Sequence, residues 1–247
     1  LDPLDQKINV KAGRSTFSLT TISVDDFPLM ASSEYDFSFS IKVEELKRLF
    51  EKVKFAMSME ETRFYLNGVF LHEFIDQDTK LLRTVATDGH RLAKFSHKID
   101  QQVSDMPGVI IPKKTIYELS KLLSENDQDI EIVISSTRII FFINNLVFFS
   151  KLIDGTFPDY KRVIPEGNIN LIQVNREQLL SAVDRVSTIA NEKSPVIKFK
   201  ILNNILNLNT DNNESSTASE DLPIKYDGDN IEIGFNSKYI MDIINNL

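Results

Sequence analysis

Apolar and polar residues alternate at period two over 15–22 and again over 36–41 (Asp-Phe-Ser-Phe-Ser-Ile), which predicts half-buried strands. The period then changes. Over 43–57, Leu46, Leu49, Phe50, Val53 and Met57 recur at three- and four-residue spacing, predicting a helix with one buried stripe. The opposite face carries Lys47, Arg48, Lys52 and Lys54, with Glu51 the only acid after the first turn. Strand-like runs follow at 63–71, 81–86 and 91–96, the last two joined by Thr87-Asp88-Gly89-His90, whose Asp-Gly pair signals a tight turn. Residues 109–111 lead through Pro112 into a second helix over 113–125, with Ile116, Leu119, Leu122 and Leu123 apolar and Lys113, Lys114 and Lys121 on the other side. Strands at 130–134, 138–143 and 146–153 complete a block in which Asn144-Asn145 is the expected hairpin turn.

The order of elements then begins again: a strand at 168–174, a helix over 176–190 built on Leu179, Val183, Val186 and Ala190, and strands at 196–201 and 205–208. Leu46, Phe50 and Val53 correspond to Leu179, Val183 and Val186, and Ile116, Glu118, Leu119 and Leu123 to Ile240, Asp242, Ile243 and Leu247. The repeating unit is a helix with a meander, used twice within one domain and repeated in the next. Extended to the ends of the chain, this repeat predicts one complete domain at 37–167, the closing strands of a preceding domain at 1–36, and the first part of a following domain at 168–247. The polar run at 211–217 is the expected surface loop between strands.

Composition narrows the chemistry. The 247 residues are 42% hydrophobic and 26% charged, ordinary for a globular chain, and the longest apolar stretch, 139–149, is interrupted by Asn144 and Asn145, short of a membrane span. A soluble protein without a membrane role is expected. With no cysteine, thiolate metal sites, disulfides and cysteine nucleophiles are excluded. The net charge of −8 opposes phosphate binding over the whole surface, so any nucleic-acid role needs a locally basic face. The lysine-rich helix faces are either solvated surface or that face.

No phosphate-cradling glycine loop, serine elbow or helical histidine pair is present, and His72, His90 and His97 have no partner at metal-ligand spacing. Asp88 and His90 are turn residues before they are metal ligands, and Glu44 and Glu45 serve a helix start. No catalytic residue, metal or cofactor is expected.

Phe64-Tyr65-Leu66-Asn67-Gly68, the run 83–93 containing Thr87-Asp88-Gly89-His90-Arg91-Leu92, the run 150–160 ending in Phe157-Pro158-Asp159-Tyr160, and Glu232-Ile233-Gly234-Phe235-Asn236 occur in this order along the chain. Together they resemble the bacterial sliding clamp family, the beta subunit of DNA polymerase III. The resemblance implies an α+β DNA clamp fold, with repeated domains each carrying two helices packed on antiparallel sheets, and two chains closed head to tail into a ring. It implies a non-catalytic cytoplasmic processivity factor whose partners are double-stranded DNA, a second copy of itself, the DNA polymerase III alpha subunit, the clamp loader, other DNA polymerases and repair proteins.

Carried over by position, the DNA-facing residues are Lys47, Arg48, Lys52, Lys54, Arg63, Phe64, Tyr65, Lys113, Lys114 and Lys121. For Phe64 and Tyr65 the competing reading is strand core. The family's apolar cleft for short linear motifs maps to Leu66, Thr87, Gly89, His90, Arg91, Leu92, Pro158, Arg162, Val163, Asn236 and Tyr239. The dimer edge maps to Ile189, Glu214, Glu220 and Asp221, facing a basic edge to which Arg14 belongs. Two departures stand out. Ser194 and Pro195 follow Asn-Glu-Lys where the family often has an aromatic, and Ser215, Ser216 and Ser219 make the dimer loop less acidic than is common. The family's cleft is completed by a C-terminal strand that this sequence does not contain, so motif binding and ring closure are expected of the longer protein. Two alternatives remain at this level: a metal-dependent nuclease, which needs a carboxylate cluster, and a protein-binding scaffold indifferent to DNA.

Overall fold

The structure, a computed structural model, describes residues 2–4, 7–26, 36–98, 106–123, 129–191, 195–211 and 216–247. Glu214, Ser194, Ser215 and the expected helix end at Glu125 lie outside the described residues. The chain divides into two compact units, Leu1–Tyr35 and Asp36–Leu247. The first is a three-stranded antiparallel sheet of β1 (Asp2–Leu4), β2 (Lys7–Ala12) and β3 (Ser15–Thr20). Arg14 is exposed in its β2–β3 turn.

The second unit opens with β4 (Phe37–Lys42), where Phe39 and Ile41 are buried and Ser38 and Lys42 are exposed, the alternation read from the sequence. Helix α1 (Val43–Glu51) and strands β5 (Gly68–Asp76), β6 (Thr79–Thr87) and β7 (Leu92–Lys98) follow. Then the same order recurs: β8 (Val109–Pro112), α2 (Lys113–Leu122), β9 (Asp129–Ile134), β10 (Arg138–Ile143) and β11 (Leu146–Lys151). The two halves exchange their first strands. β4 joins the second meander in the order β11-β10-β9-β4, with Ile41 opposite Ile130, and β8 joins the first in the order β7-β6-β5-β8, with Val69 opposite Ile111. Each half therefore completes the other's sheet. Gly68 is required at this junction, because a Cβ there would stand 2.2 Å from the Ile111 carbonyl oxygen.

The third round consists of α3 (Arg176–Ser187), β12 (Val196–Leu202), β13 (Ile205–Asp211), β14 (Thr217–Pro223), β15 (Ile231–Asn236) and α4 (Ser237–Asn245). Its sheet order, β14-β13-β12-β15, repeats that of β7-β6-β5-β8, so β15 is the counterpart of β8.

Three apolar clusters hold this unit. The largest joins Leu46, Leu49, Phe50 and Val53 of α1 and its C-terminal side to Ile116 and Leu119 of α2 and to both sheets. A second packs Ala182, Val183 and Val186 of α3 on Ile197, Phe199, Leu206 and Leu208. A small third cluster of Leu66, Val85, Ile110, Phe157 and Tyr160 lies under the site described below. Each fully buried Leu or Phe among these contributes roughly 1.5–3 kcal/mol relative to exposure.

Local order departs from the sequence pattern in three places. The helix expected to reach Met57 ends at Glu51: the Val53 N–H turns to the Phe50 carbonyl, and the hydroxyl of buried Thr84 on β6 donates instead to the Leu49 carbonyl at 2.7 Å. A 3-10 turn, Lys54–Ala56, carries the apolar stripe on to Met57. The strand expected at 63–71 starts only at Gly68, since Glu61–Leu66 is 3-10 with Arg63 non-helical at φ −107° and ψ 52°. The strand expected at 168–174 makes only an isolated bridge, Gln173 with Lys225, and leaves Ile169 and Leu171 exposed because no sheet lies against them. The sequence pattern does not predict β14 or β15, the first being polar and the second adjacent to a turn-rich segment.

Candidate functional site

The helices stand in one row. Lys54 Nζ lies 5.8 Å from the Tyr117 ring centroid, bringing the end of α1 against α2. Lys52 donates to the carbonyl of Asn246, the C-cap of α4, at 2.5 Å, where the negative end of a helix dipole favours a cation. Arg176 of α3 donates to the Ile244 carbonyl of the same helix at 3.3 Å. The order α2, α1, α4, α3 thus runs from the central block into the next without a break. Asn175 and Asn236 cap α3 and α4, accepting from the Gln178 and Lys238 N–H groups, each at 3.0 Å.

The basic residues on this row are tempered. Lys54 pairs with Glu51 at 2.5 Å and Lys121 with Glu118 at 3.0 Å, Arg48 lies 5.7 Å over the Phe95 ring, and Lys113 reaches the Met59 sulfur. Among the described residues, Lys47 and Lys114 form no ion pair. Lys52, expected on the polar face, is instead spent on α4. Arg63, Phe64 and Tyr65 sit in the 3-10 segment rather than in a strand, and Phe64 is half exposed with its ring edge-on to Tyr65 at 5.8 Å.

Beside this row a cavity of about 410 Å³ is lined by Leu66, Thr87, Gly89, His90, Arg91, Leu92, Pro158 and Val163, all among the sequence-predicted cleft residues. Arg63, Tyr65, Asp159 and Tyr160 also line it. Tyr160 was missed, although the Phe157-Pro158-Asp159-Tyr160 run pointed to it. Three predicted members do not line the cavity. Asn236 is committed to capping α4, Arg162 is exposed and paired with Asp159 at 2.9 Å, and Tyr239 lies behind the wall, against His90 and Arg91.

The wall between β6 and β7 is tightly specified. Asp88 accepts from the His90 and Arg91 N–H groups at 2.9 and 3.0 Å, Thr87 Oγ1 accepts from Gly89 N–H at 3.1 Å, and Gly89 takes φ +88°. At the mouth, Arg63 donates twice to Glu60, at 2.6 and 2.8 Å, a hydrogen-bonded pair that holds the Glu60 carboxyl below its usual range and raises the guanidinium. Beneath the floor, Tyr160 donates to His72 Nε2 at 3.1 Å and accepts from Arg83 at 3.3 Å, while His72 Nδ1 donates to the Glu73 carbonyl at 2.5 Å. Burial pushes the His72 pKa down, and the Arg83 and Lys161 charges push it the same way.

On the far side of α3, Glu220 of edge strand β14 receives two hydrogen bonds from Arg185, at 2.5 and 3.0 Å, which lower its pKa. Asp221 accepts from Asn207 at 2.7 Å, and Ile189 is half-buried just past α3. Among the described residues no group of three or more His, Cys, Asp or Glu side chains is placed to share a metal ion, and no helix is long and apolar enough to cross a membrane.

A helix-and-meander unit repeated with its helices in one row, each backed by an antiparallel sheet, is the DNA clamp architecture. Residues 40–159 match the model of the DNA polymerase III beta subunit central domain, and residues 161–247 that of its C-terminal domain. The beta sliding clamp of Pseudomonas aeruginosa is 40% identical over 97% of this chain, and that of Escherichia coli 36% identical over 98%. A crystal structure of the DNA polymerase III subunit beta from Bartonella birtlesii, bound to griselimycin, superposes with a TM-score of 0.92 at 45% identity over 98% of this chain and 65% of that one. The Caulobacter crescentus pol III beta structure superposes at 0.91 with 37% identity, over 98% of this chain and 65% of its own. The chain belongs to the DNA polymerase III beta subunit family, the beta sliding clamps. It spans 64% of the length of the Pseudomonas aeruginosa relative.

Proposed function

We propose that this chain is part of a DNA sliding clamp, a non-catalytic cytoplasmic protein that encircles duplex DNA as a homodimeric ring and tethers the replicative polymerase, clamp loader and repair proteins. The observation that carries this reading is the unbroken row of α2, α1, α4 and α3 across two consecutive blocks. A protein that reads sequence or cuts a strand needs a few converging groups; one that slides needs an extended face with shallow, uniform attraction. Lys47, Arg48, Lys54, Lys113, Lys114 and Lys121, of which Lys54 and Lys121 are partly neutralised by neighbouring acids, supply that on an otherwise acidic chain. Strong phosphate pairing would instead brake sliding. Arg63, Phe64 and Tyr65 extend the same face.

Holding a polymerase on a ring converts its rebinding into an intramolecular event at high effective concentration. The 410 Å³ cavity is suited to such tethering. Leu66, Leu92, Pro158 and Val163 offer apolar contact for an aliphatic and an aromatic anchor of a short peptide, with the Arg63 guanidinium at the rim to set register. In this reading residues 1–36 close a first domain, 37–167 form a second and 168–247 begin a third, and Ile189, Glu214, Glu220 and Asp221 lie on the dimer edge with Arg14 on the opposing one. Within the chain, Glu220 is already paired with Arg185, so dimerisation would have to share or exchange that guanidinium.

The test is topological. The full-length protein is loaded by its clamp loader onto nicked circular DNA in moderate salt, and the DNA is then linearised. Retention on the circle and release on cutting are expected; equal retention on both forms would mean ordinary affinity and would overturn the ring.

A further inference from the structure

Arg91 stands in the cavity wall, yet its guanidinium is committed behind it. Nη1 donates to Asp242 of α4 at 2.6 Å, Nη2 to the Phe55 carbonyl at 2.7 Å, and Nε to Asp88 at 3.1 Å. Its Cζ lies 4.4 Å from the Tyr239 ring centroid and 5.4 Å from that of Phe55. Tyr239 and Asp242 are three residues apart and so share a face of α4. That face clasps the 88–91 loop from the rear, with the His90 ring stacked 6.2 Å from Tyr239.

The remainder of this seam is loosely filled. A second cavity, of about 490 Å³, lies between Leu92, Phe95 and Phe55 on one side and Ile243 and Asn246 of α4 on the other. Leu92 lines both cavities, so a single residue's thickness separates the motif cleft from the seam. Across the seam, charge-assisted hydrogen bonds run only at Arg91–Asp242 and Lys52–Asn246 among the described residues. A wall joined to a helix through a few directed contacts transmits displacement in both directions, whereas a close-packed seam would hold both sides rigid.

We infer that Arg91 is a positioning residue that couples the motif cleft to α4. A peptide seated against Gly89, His90 and Leu92 favours the wall position that keeps Arg91 on Asp242 and Tyr239, and α4 held in place favours the peptide, with equal factors in the two directions. This rests on the cleft being a peptide site, as proposed above.

Asp242 does not line the cleft, so Asp242→Asn perturbs binding only through Arg91. The probe is a labelled peptide with adjacent aliphatic and aromatic anchors, titrated against the full-length protein by fluorescence anisotropy, with amide exchange of residues 237–245 followed with and without peptide. The wild type is expected to gain protection in α4 on peptide binding; Asp242→Asn should bind about fivefold more weakly and lose most of that gain. Arg91→Lys combined with Asp242→Asn should be less than additive in affinity. Unchanged affinity for Asp242→Asn, whether or not α4 loosens, overturns the coupling while leaving the cleft intact. A wild type that binds no peptide overturns the peptide-site reading and the coupling with it.

Discussion

Gly89→Ala puts the cleft wall to a direct test, because two separable costs meet at this residue. The backbone sits at φ +88°, where an L side chain crowds its own carbonyl, at roughly 1–2 kcal/mol. A Cβ there would also stand 2.4 Å from Arg63 Nη1 and 3.4 Å from its Cζ. The neighbour is the far end of a flexible side chain, so it moves aside instead of being crushed. Moving it breaks the exposed pair with Glu60 and relocates the guanidinium at the mouth of the cavity.

Gly167 separates the two effects: it takes φ +71° with nothing within 4 Å of its would-be Cβ. Both alanine variants should lose about 1–2 kcal/mol, lowering Tm by about 2–8 °C for a unit of this size. Only Gly89→Ala should also weaken peptide binding, by about tenfold or 1.4 kcal/mol, and adding Arg63→Ala should recover part of that loss. Thermal melts and anisotropy titrations on the wild type and the three variants decide it. Equal peptide affinity for wild type and Gly89→Ala, or an equal loss in Gly167→Ala, would refute the reasoning.

Two further outcomes follow from the buried polar groups. Thr84→Val keeps the shape but leaves the Leu49 carbonyl without its donor, and should cost about 1–2 kcal/mol in chemical denaturation with an unchanged m-value; a loss below about 0.3 kcal/mol would mean the carbonyl finds another partner. For His72 the folded pKa lies below the ordinary 6.5, so the unfolded chain binds more protons and stability must fall as pH drops from neutrality through 6.5 until the folded ring itself titrates. Once the folded ring does titrate, the Tyr160 hydroxyl loses its acceptor. His72→Gln should flatten the acid-side decline in Tm, and an unaltered slope would place its origin elsewhere.

The central block and its repeat are legible from the hydrophobic period, because α1 and α2 each bury one face of a strongly patterned segment and the apolar runs of β9 and β10 are buried beneath them. Turn chemistry was legible too: Asp88-Gly89 and Asn144-Asn145 sit where backbones of positive φ are needed, at Gly89 and Asn144. The early end of α1 was not, since Val53 and Met57 continue the apolar stripe and the cause is a hydroxyl from β6, remote in sequence. The run 168–174 looks like a strand by composition, but a strand needs a neighbour to accept its hydrogen bonds, and here it meets only Lys225.

The cleft divides the same way. Which residues compose it was readable from the motif runs, because those segments carry their own turns. Which of them face the cavity was decided by tertiary contacts. Asn236 is taken by a helix N-terminus, Tyr239 is drawn behind the wall by Arg91, and Lys52, which sequence period places on a solvated face, is captured by the carbonyl at the end of α4. Sequence determines each segment's periodicity and turns through local sterics and burial. Side-chain donors and charges are satisfied by whatever the folded chain brings within reach: Arg91 finds Asp242 across 151 positions, and Lys52 finds Asn246 across 194.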